Sequence, residues 1–330
     1  MENFRTVIEI FESRNKLSYH SKAMFIGSCF AESIGSLLLE LKFPIDINPF
    51  GIVYNPISVK NSIDFLINKK TFTEEDICFD GERWFSFYHH SRFSNISKEM
   101  CLQEINERIN ISSEFLKKAE FLFITFGSAW VYELMEKKQI VSNCHKFPNK
   151  EFDRYLLNPS IIVDEYKDLI SRLQAFNPKL KIIFTVSPIR HLKDGATGNQ
   201  VSKSTLILAI HELDALFQNV FYFPSYEIMM DDLRDYRFYN EDMTHPNSVA
   251  IKYIWDLFTE TYIEKFSQQL MTEIDAILKA KSHRPFNEQS QTYQHFLKNQ
   301  LGKIYALKNK HRYIDLTEEE LFFKSKQALK

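Results

Sequence analysis

Four short apolar runs, each halted by glycine, serine or proline and separated by helical patterns, constrain this chain more than any other feature. Residues 21–26 (SKAMFI) stop at Gly27-Ser28, 121–126 (FLFITF) at Gly127-Ser128, 181–186 (KIIFTV) at Ser187-Pro188, and 219–223 at Pro224. Runs this short and this apolar on both sides read as strands buried on both faces of a parallel sheet. After the first run, Phe30, Ile34, Leu37, Leu38 and Leu41 fall on one face of a helix. Further helical patterns span 97–119, 159–176 and 202–217, and Ser58 is placed to cap a short helix to about Asn68. Strand–helix alternation predicts a parallel sheet with helices on both faces. A further strand within 44–53 completes a flavodoxin-like 2-1-3-4-5 order, a three-layer α/β/α architecture. Segments 77–88 and 131–143 read as hairpins. Beyond about 247 only helical patterns follow, 247–281 and 289–308, with His283-Arg284-Pro285 between them. The expected organisation is therefore a domain over 1–262 with a helical C-terminal extension over 263–330.

The bulk numbers exclude several function classes. With 330 residues, 44% apolar, the chain can bury a sizeable core, and a net charge of −2 from 41 basic and 43 acidic side chains offers no general attraction for nucleic acid or an anionic membrane. The N-terminus has no signal-peptide core, and no stretch of about 18 apolar residues suggests a membrane span. The 4 cysteines are scattered without a CxxC. These features suit a reducing, cytoplasmic setting and a small-molecule substrate.

Ligands of open parallel sheets bind beyond the carboxyl ends of the strands. Ser28 lies there after the first run and opens a helix, whose N-terminal end favours developing negative charge. A serine hydroxyl needs a base, and His245 can serve if a carboxylate holds its tautomer. Asp242, three residues earlier, is spaced to reach Nδ1 and leave Nε2 for the serine. A serine after a strand is ordinarily only a helix cap, and Asp-x-x-His is common by chance. An early serine followed by a late Asp-x-x-His on a five-stranded parallel sheet is far more specific.

Gly27-Ser28-Cys29-Phe30-Ala31 spells the motif of the GSCFA family, and other blocks follow in order. Phe4-Arg5-Thr6, the stretch Asn48-Pro49-Phe50-Gly51-Ile52-Val53-Tyr54-Asn55-Pro56, Gly127-Ser128-Ala129-Trp130-Val131-Tyr132, Asn143-Cys144-His145-Lys146, Ser187-Pro188-Ile189-Arg190 with Ser202-Lys203, and Arg237-Phe238-Tyr239 through Pro246 all resemble that family, over roughly residues 1–262. The family is similar to the SGNH/GDSL hydrolases. That resemblance implies an SGNH hydrolase fold with Ser28 as nucleophile, Asp242 and His245 as its activating pair, and the N–H groups of Ser28 and Gly51 as oxyanion donors. The third donor departs from the pattern, because Ala129 stands where an asparagine belongs. Losing such a donor costs on the order of 10²–10³ in rate. Asn143, with two N–H donors, and Ser128 are the candidate substitutes, Asn143 being preferred.

Other chemistries compete for the same residues. Cys29 is a possible thiol nucleophile with His145 or His245, although its helix position suggests a side chain turned into the core. Cys144 and His145 are two potential zinc ligands with no further ligand at zinc spacing. Trp130 and Tyr132 are candidates for stacking on a sugar ring or for hairpin packing. Arg190 and Lys203 are candidates for an anionic substrate group or for ordinary surface charge, and Arg237 for tethering the Asp-x-x-His loop. The expected activity is that of an esterase or deacetylase acting on a small acyl ester or acylated sugar, with no metal or organic cofactor required. An O-acyltransferase with the same triad, or a glycan- or acyl-binding pseudoenzyme, are the alternatives.

Overall fold

In the computed structural model, which describes residues 5–10 and 12–327, the elements follow one another as β1 (Ala23–Gly27), α1 (Cys29–Glu40), β2 (Ile45–Ile47), α2 (Pro56–Ile67), β3 (Cys78–Phe79), β4 (Trp84–Phe85), α3 (Lys98–Leu116), β5 (Phe121–Phe126), β6 (Trp130–Leu134), β7 (Gln139–Ile140), β8 (Phe152–Leu156), α4 (Pro159–Phe176), β9 (Lys181–Val186), α5 (Gly195–Leu216), β10 (Val220–Tyr222), the single turn α6 (Ser225–Glu227), α7 (Ser248–Tyr262), α8 (Lys265–Ser282), α9 (Gln291–Lys310) and α10 (Thr317–Ser325). Phe4 lies outside the described residues. The main sheet runs β10-β9-β5-β1-β2, all parallel, which is the expected order. Its two faces are sorted by strand alternation. Met24, Ile26, Leu122, Ile124, Ile182 and Phe184 pack with buried residues of α2, α3, α4 and α5, whereas Ala23, Phe25, Phe121, Phe123 and Ile183 pack with those of α1 and α7. Burial on both faces explains why these strands read as unbroken apolar runs.

Gly27 closes β1 with φ +140, and a Cβ there would lie 2.2 Å from the Thr125 carbonyl oxygen. Only glycine lets the chain turn out of the sheet so close to β5. The next residue, Ser28, caps α1 by accepting from the Phe30 N–H.

Several elements differ from expectation for identifiable reasons. The cap of α2 is Asn55, whose side chain accepts from the Ser58 N–H, with Pro56 in the first turn; Ser58 is inside the helix. The 131–143 hairpin gains a third strand, β8, paired with β6, and the small sheet β7-β6-β8 shares a separate cluster of Phe85, Phe87, Leu134, Val141 and Phe152. The helix expected from 202 begins at Gly195, where two glycines hide its first turns from a propensity reading. The pattern over 247–281 is two helices with no glycine or proline between them. The N-terminal segment inserts at the break: Leu17 donates to the Tyr262 carbonyl at 2.6 Å and accepts from the Glu264 N–H at 3.1 Å. The last helix, α10, lies beyond the two helical patterns expected after residue 247. Leu270, Ile274, Leu297, Ile304 and Phe323 of α8, α9 and α10 join the same cluster as Phe25, Phe123 and Phe258, so the C-terminal helices complete a core that begins on the sheet. No described helix is long and apolar enough to cross a membrane.

Candidate functional site

The carboxyl edge of the main sheet is bridged by residues 48–54. The Asn48 side chain accepts from the Gly27 N–H at 2.9 Å. Val53 donates to the Gly27 carbonyl at 3.1 Å, and Gly127 donates to the Tyr54 carbonyl at 2.8 Å. This crossing segment covers the exit of β1, and Ser28 is consequently only 3% exposed, not the open hydroxyl its helix-start position suggests. Its Oγ accepts from the Phe30 N–H at 3.3 Å.

The Asp242–His245 pair is built locally. One carboxylate oxygen of Asp242 accepts from the backbone N–H groups of Thr244 and His245, both at 2.9 Å. Met243, between Asp242 and Thr244, takes φ 56. This tight turn aims the second oxygen at His245 Nδ1, 2.6 Å away. The two backbone N–H groups, and then the imidazole, hold the Asp242 carboxyl well below the usual carboxylate range. The His245 side chain is 46% exposed, and its Nε2 has no partner among the described residues. The loop is moored by Asn240 donating to the His245 carbonyl at 2.8 Å, and by Arg190, whose N–H donates to the Thr244 carbonyl at 3.1 Å. Arg237 contributes its carbonyl, which accepts from the Asn247 side chain at 2.7 Å. Ser28 and His245 thus belong to segments at the same edge of the sheet, and no direct hydrogen bond joins them among the described residues.

The oxyanion donors require correction. The Ser28 N–H donates to the Thr125 carbonyl at 3.1 Å, extending the β1–β5 ladder by one residue, and the Gly51 N–H closes a turn onto the Asn48 carbonyl at 2.8 Å. Neither amide is free in this conformation. Ser128 is also committed: its Oγ accepts from the Trp130 N–H at 3.1 Å and bonds Ser202 Oγ at 3.2 Å. Ser202 in turn accepts from the Ala129 N–H at 2.8 Å, fastening α5 to the β5 exit. Asn143 differs, because its Oδ1 accepts from the His145 N–H at 2.9 Å and its amide nitrogen bonds no described residue.

Around the edge, the rings expected to meet a sugar carry cations. The Arg154 guanidinium lies 4.3 Å from the Trp130 ring centre and 5.2 Å from that of Tyr132, and is held by Asp194 through two hydrogen bonds. Sequence reasoning missed Arg154, Tyr54 and His191. The His191 ring stacks on Tyr54 with centroids 5.5 Å apart, and burial lowers its pKa to about 4, keeping it neutral. A titratable ring directly after a strand-exit block was the available signal.

Lys203 is corrected as a substrate contact, for it is completely buried. Its Nζ donates to the carbonyls of Gly127 at 2.6 Å and Ser187 at 2.7 Å, at the exits of β5 and β9. Burial pulls its pKa down to about 7, against ~10.4 in an unfolded chain. Between those values the unfolded state binds more protons, so stability rises with pH; below the lower value the full penalty of the buried charge is present. The unfolding free energy of the wild type relative to Lys203→Met, measured by urea titration, is expected to increase as pH is raised from about 7 towards about 9. A pH-independent difference would mean that Lys203 titrates as an ordinary lysine.

Cys29 is half-buried on α1, off the face carried by Phe30, Ala31, Ile34 and Leu38, which corrects the expectation that it points into the core. Burial and then Glu32 raise its thiol pKa, so the thiolate is disfavoured. His145 Nε2 lies 3.0 Å from the Ser86 carbonyl and 3.1 Å from that of His89, and its ring packs 4.2 Å from Phe85. It forms no hydrogen bond with Cys29. Among the described residues no three His, Cys, Asp or Glu side chains are grouped to hold a metal ion.

No curated protein matches the chain. Among solved structures, a carbohydrate esterase family 3 protein from Talaromyces cellulolyticus is similar with a TM-score of 0.35 and 10% identity, covering 78% of this chain and 99% of that one. A family two carbohydrate esterase from Clostridium thermocellum, solved with cellohexaose, is similar with a TM-score of 0.34 and 13% identity, covering 82% of this chain and 68% of that one. The model of the GSCFA domain protein C-terminal domain matches residues 274–327. The model of the GSCFA family matches residues 22–258, a span that includes Ser28, the 48–54 crossing and the Asp242–His245 turn, and by that match the chain belongs to the GSCFA family.

Proposed function

We propose that this protein is a serine esterase that removes acyl groups from an O-acylated carbohydrate. The observation that carries the reading is the Asp242–His245 pair, with Nδ1 engaged at 2.6 Å and Nε2 unpartnered among the described residues, in a loop moored to the sheet edge where Ser28 follows β1. In the proposed reaction His245 Nε2 takes the Ser28 proton as Oγ bonds to the acyl carbon. The tetrahedral intermediate collapses, the C–O bond to the sugar breaks, and the leaving oxygen takes the proton back from His245. Water, deprotonated by the same imidazole, then releases the carboxylic acid and restores the serine. Asp242 stays ionised throughout and stabilises the imidazolium. Reaction requires the serine hydroxyl to turn from its helix-cap bond towards His245; catalytic hydrogen bonds that are long in an unliganded site often form fully only with substrate bound. The Asn143 amide nitrogen is the side-chain donor assigned to the oxyanion.

The engaged amides of Ser28 and Gly51 favour a second reading, a glycan- or acyl-binding protein without turnover. One experiment separates the two. A fluorophosphonate probe is expected to add covalently to the wild type, seen by intact mass spectrometry, and not to Ser28→Ala. Absence of labelling in the wild type would sink the esterase reading.

A further inference from the structure

Four buried nitrogens that can only donate have no partner among the described residues: Trp130 Nε1, Arg154 Nε, Arg190 Nε and Asn199 Nδ2. All four belong to segments at the carboxyl edge of the sheet: Trp130 opens β6 just past β5, Arg154 is paired to that strand on β8, Arg190 follows β9, and the Asn199 side chain accepts from the His191 N–H at 2.9 Å. Buried donors left empty together call for acceptors from elsewhere.

Arg190 stands apart within this group. Arg154 is neutralised by Asp194. No nitrogen of the half-buried Arg190 side chain bonds a protein group, and no carboxylate lies within 4.0 Å of it, among the described residues. Its electrostatic neighbours Tyr226 and Tyr239 are phenols whose pKa burial raises, so they stay neutral. Two carboxylates that act on Tyr226 are engaged by other groups, Glu227 by the Tyr222 hydroxyl at 2.8 Å and Asp231 by Arg234 at 2.9 Å. Lys203 meets its burial by becoming less basic, and a guanidinium has no such escape. Through the Thr244 carbonyl the backbone of Arg190 is tied to the residue before His245.

We propose that Arg190 receives an oxyanion of the substrate, a carboxylate or phosphate on the sugar that carries the acyl ester, so that the protein acts on an acidic saccharide and not a neutral one. The planar fork of arginine suits either group. This rests on the esterase reading for the identity of the sugar, and the test is made by equilibrium binding so that the two can fail separately. Calorimetric titration of Ser28→Ala protein with a methyl hexuronoside, a methyl hexoside 6-phosphate and the neutral methyl hexoside is expected to show at least about tenfold tighter binding of a charged ligand, the order of one good charged contact. Preference for the uronoside or for the phosphate supports the proposal and identifies the anion. Adding Arg190→Met is expected to abolish the preference, and Arg190→Lys, which keeps the charge and loses the fork, to retain part of it. Should Arg190→Met fail to fold by thermal melting, Arg190→Gln carries the same expectation. Absence of binding, equal binding of charged and neutral ligands, or a preference that survives loss of the guanidinium overturns the proposal and leaves the Ser28 labelling result untouched.

Discussion

Ser28→Ala is expected to lower kcat on a short-chain aryl ester by about 10⁶-fold, the size of loss seen when the nucleophile of a serine triad is removed. Cys29→Ser, one residue along, is expected to retain most of the activity. The two positions separate cleanly on physical grounds. Ser28 leaves β1 at the sheet edge, where the crossing segment and the β5 exit converge. The Cys29 thiol is half-buried, and burial together with Glu32 raises its pKa, which leaves little thiolate at neutral pH. Both variants are conservative in volume, and matched melting temperatures would establish that folding is not the cause of any loss. Activity that survives in Ser28→Ala and vanishes in Cys29→Ser would reverse the assignment.

Asp242→Asn is expected to lower kcat by about 10⁴-fold with the fold intact. The oxygen that accepts from the Thr244 and His245 N–H groups survives in asparagine, so the turn is retained. The second oxygen, now at 2.6 Å from His245 Nδ1, becomes an amide nitrogen. That nitrogen donates, so Nδ1 must accept and the imidazole proton moves to Nε2, where it blocks uptake of the serine proton. KM is expected to change little, because the lost interaction grows as the imidazolium forms. A loss below about tenfold would remove the pair from the chemistry.

The Asp242–His245 pair was legible because it is local: a carboxylate that accepts from the second and third following N–H groups is a turn property of four residues, independent of the rest of the molecule. The strand order was legible for a related reason. Runs buried on both faces are apolar throughout, and short strands joined by helices admit few parallel arrangements. The Ser28 cap was equally a matter of three consecutive residues.

What the tertiary structure alone decided involves partners far apart in the chain. Lys203 and Arg190 read alike in the sequence, two cations near the fourth strand. Packing buries Lys203 under carbonyls of Gly127 and Ser187, and leaves the Arg190 guanidinium without a partner among the described residues, its backbone tied to the His245 loop. The engagement of the Ser28 and Gly51 amides follows from the ladder to Thr125 and the turn at Asn48, which residue type does not reveal because every non-proline residue carries the same N–H. Likewise, Trp130 and Tyr132 are aromatic wherever they sit, but the cation over them comes from β8, a strand visible only once it pairs with β6. Residue type and spacing determine local turns and the apolar pattern; which donors, charges and rings remain unpaired depends on long-range packing, because only packing settles what water is excluded and which group takes its place.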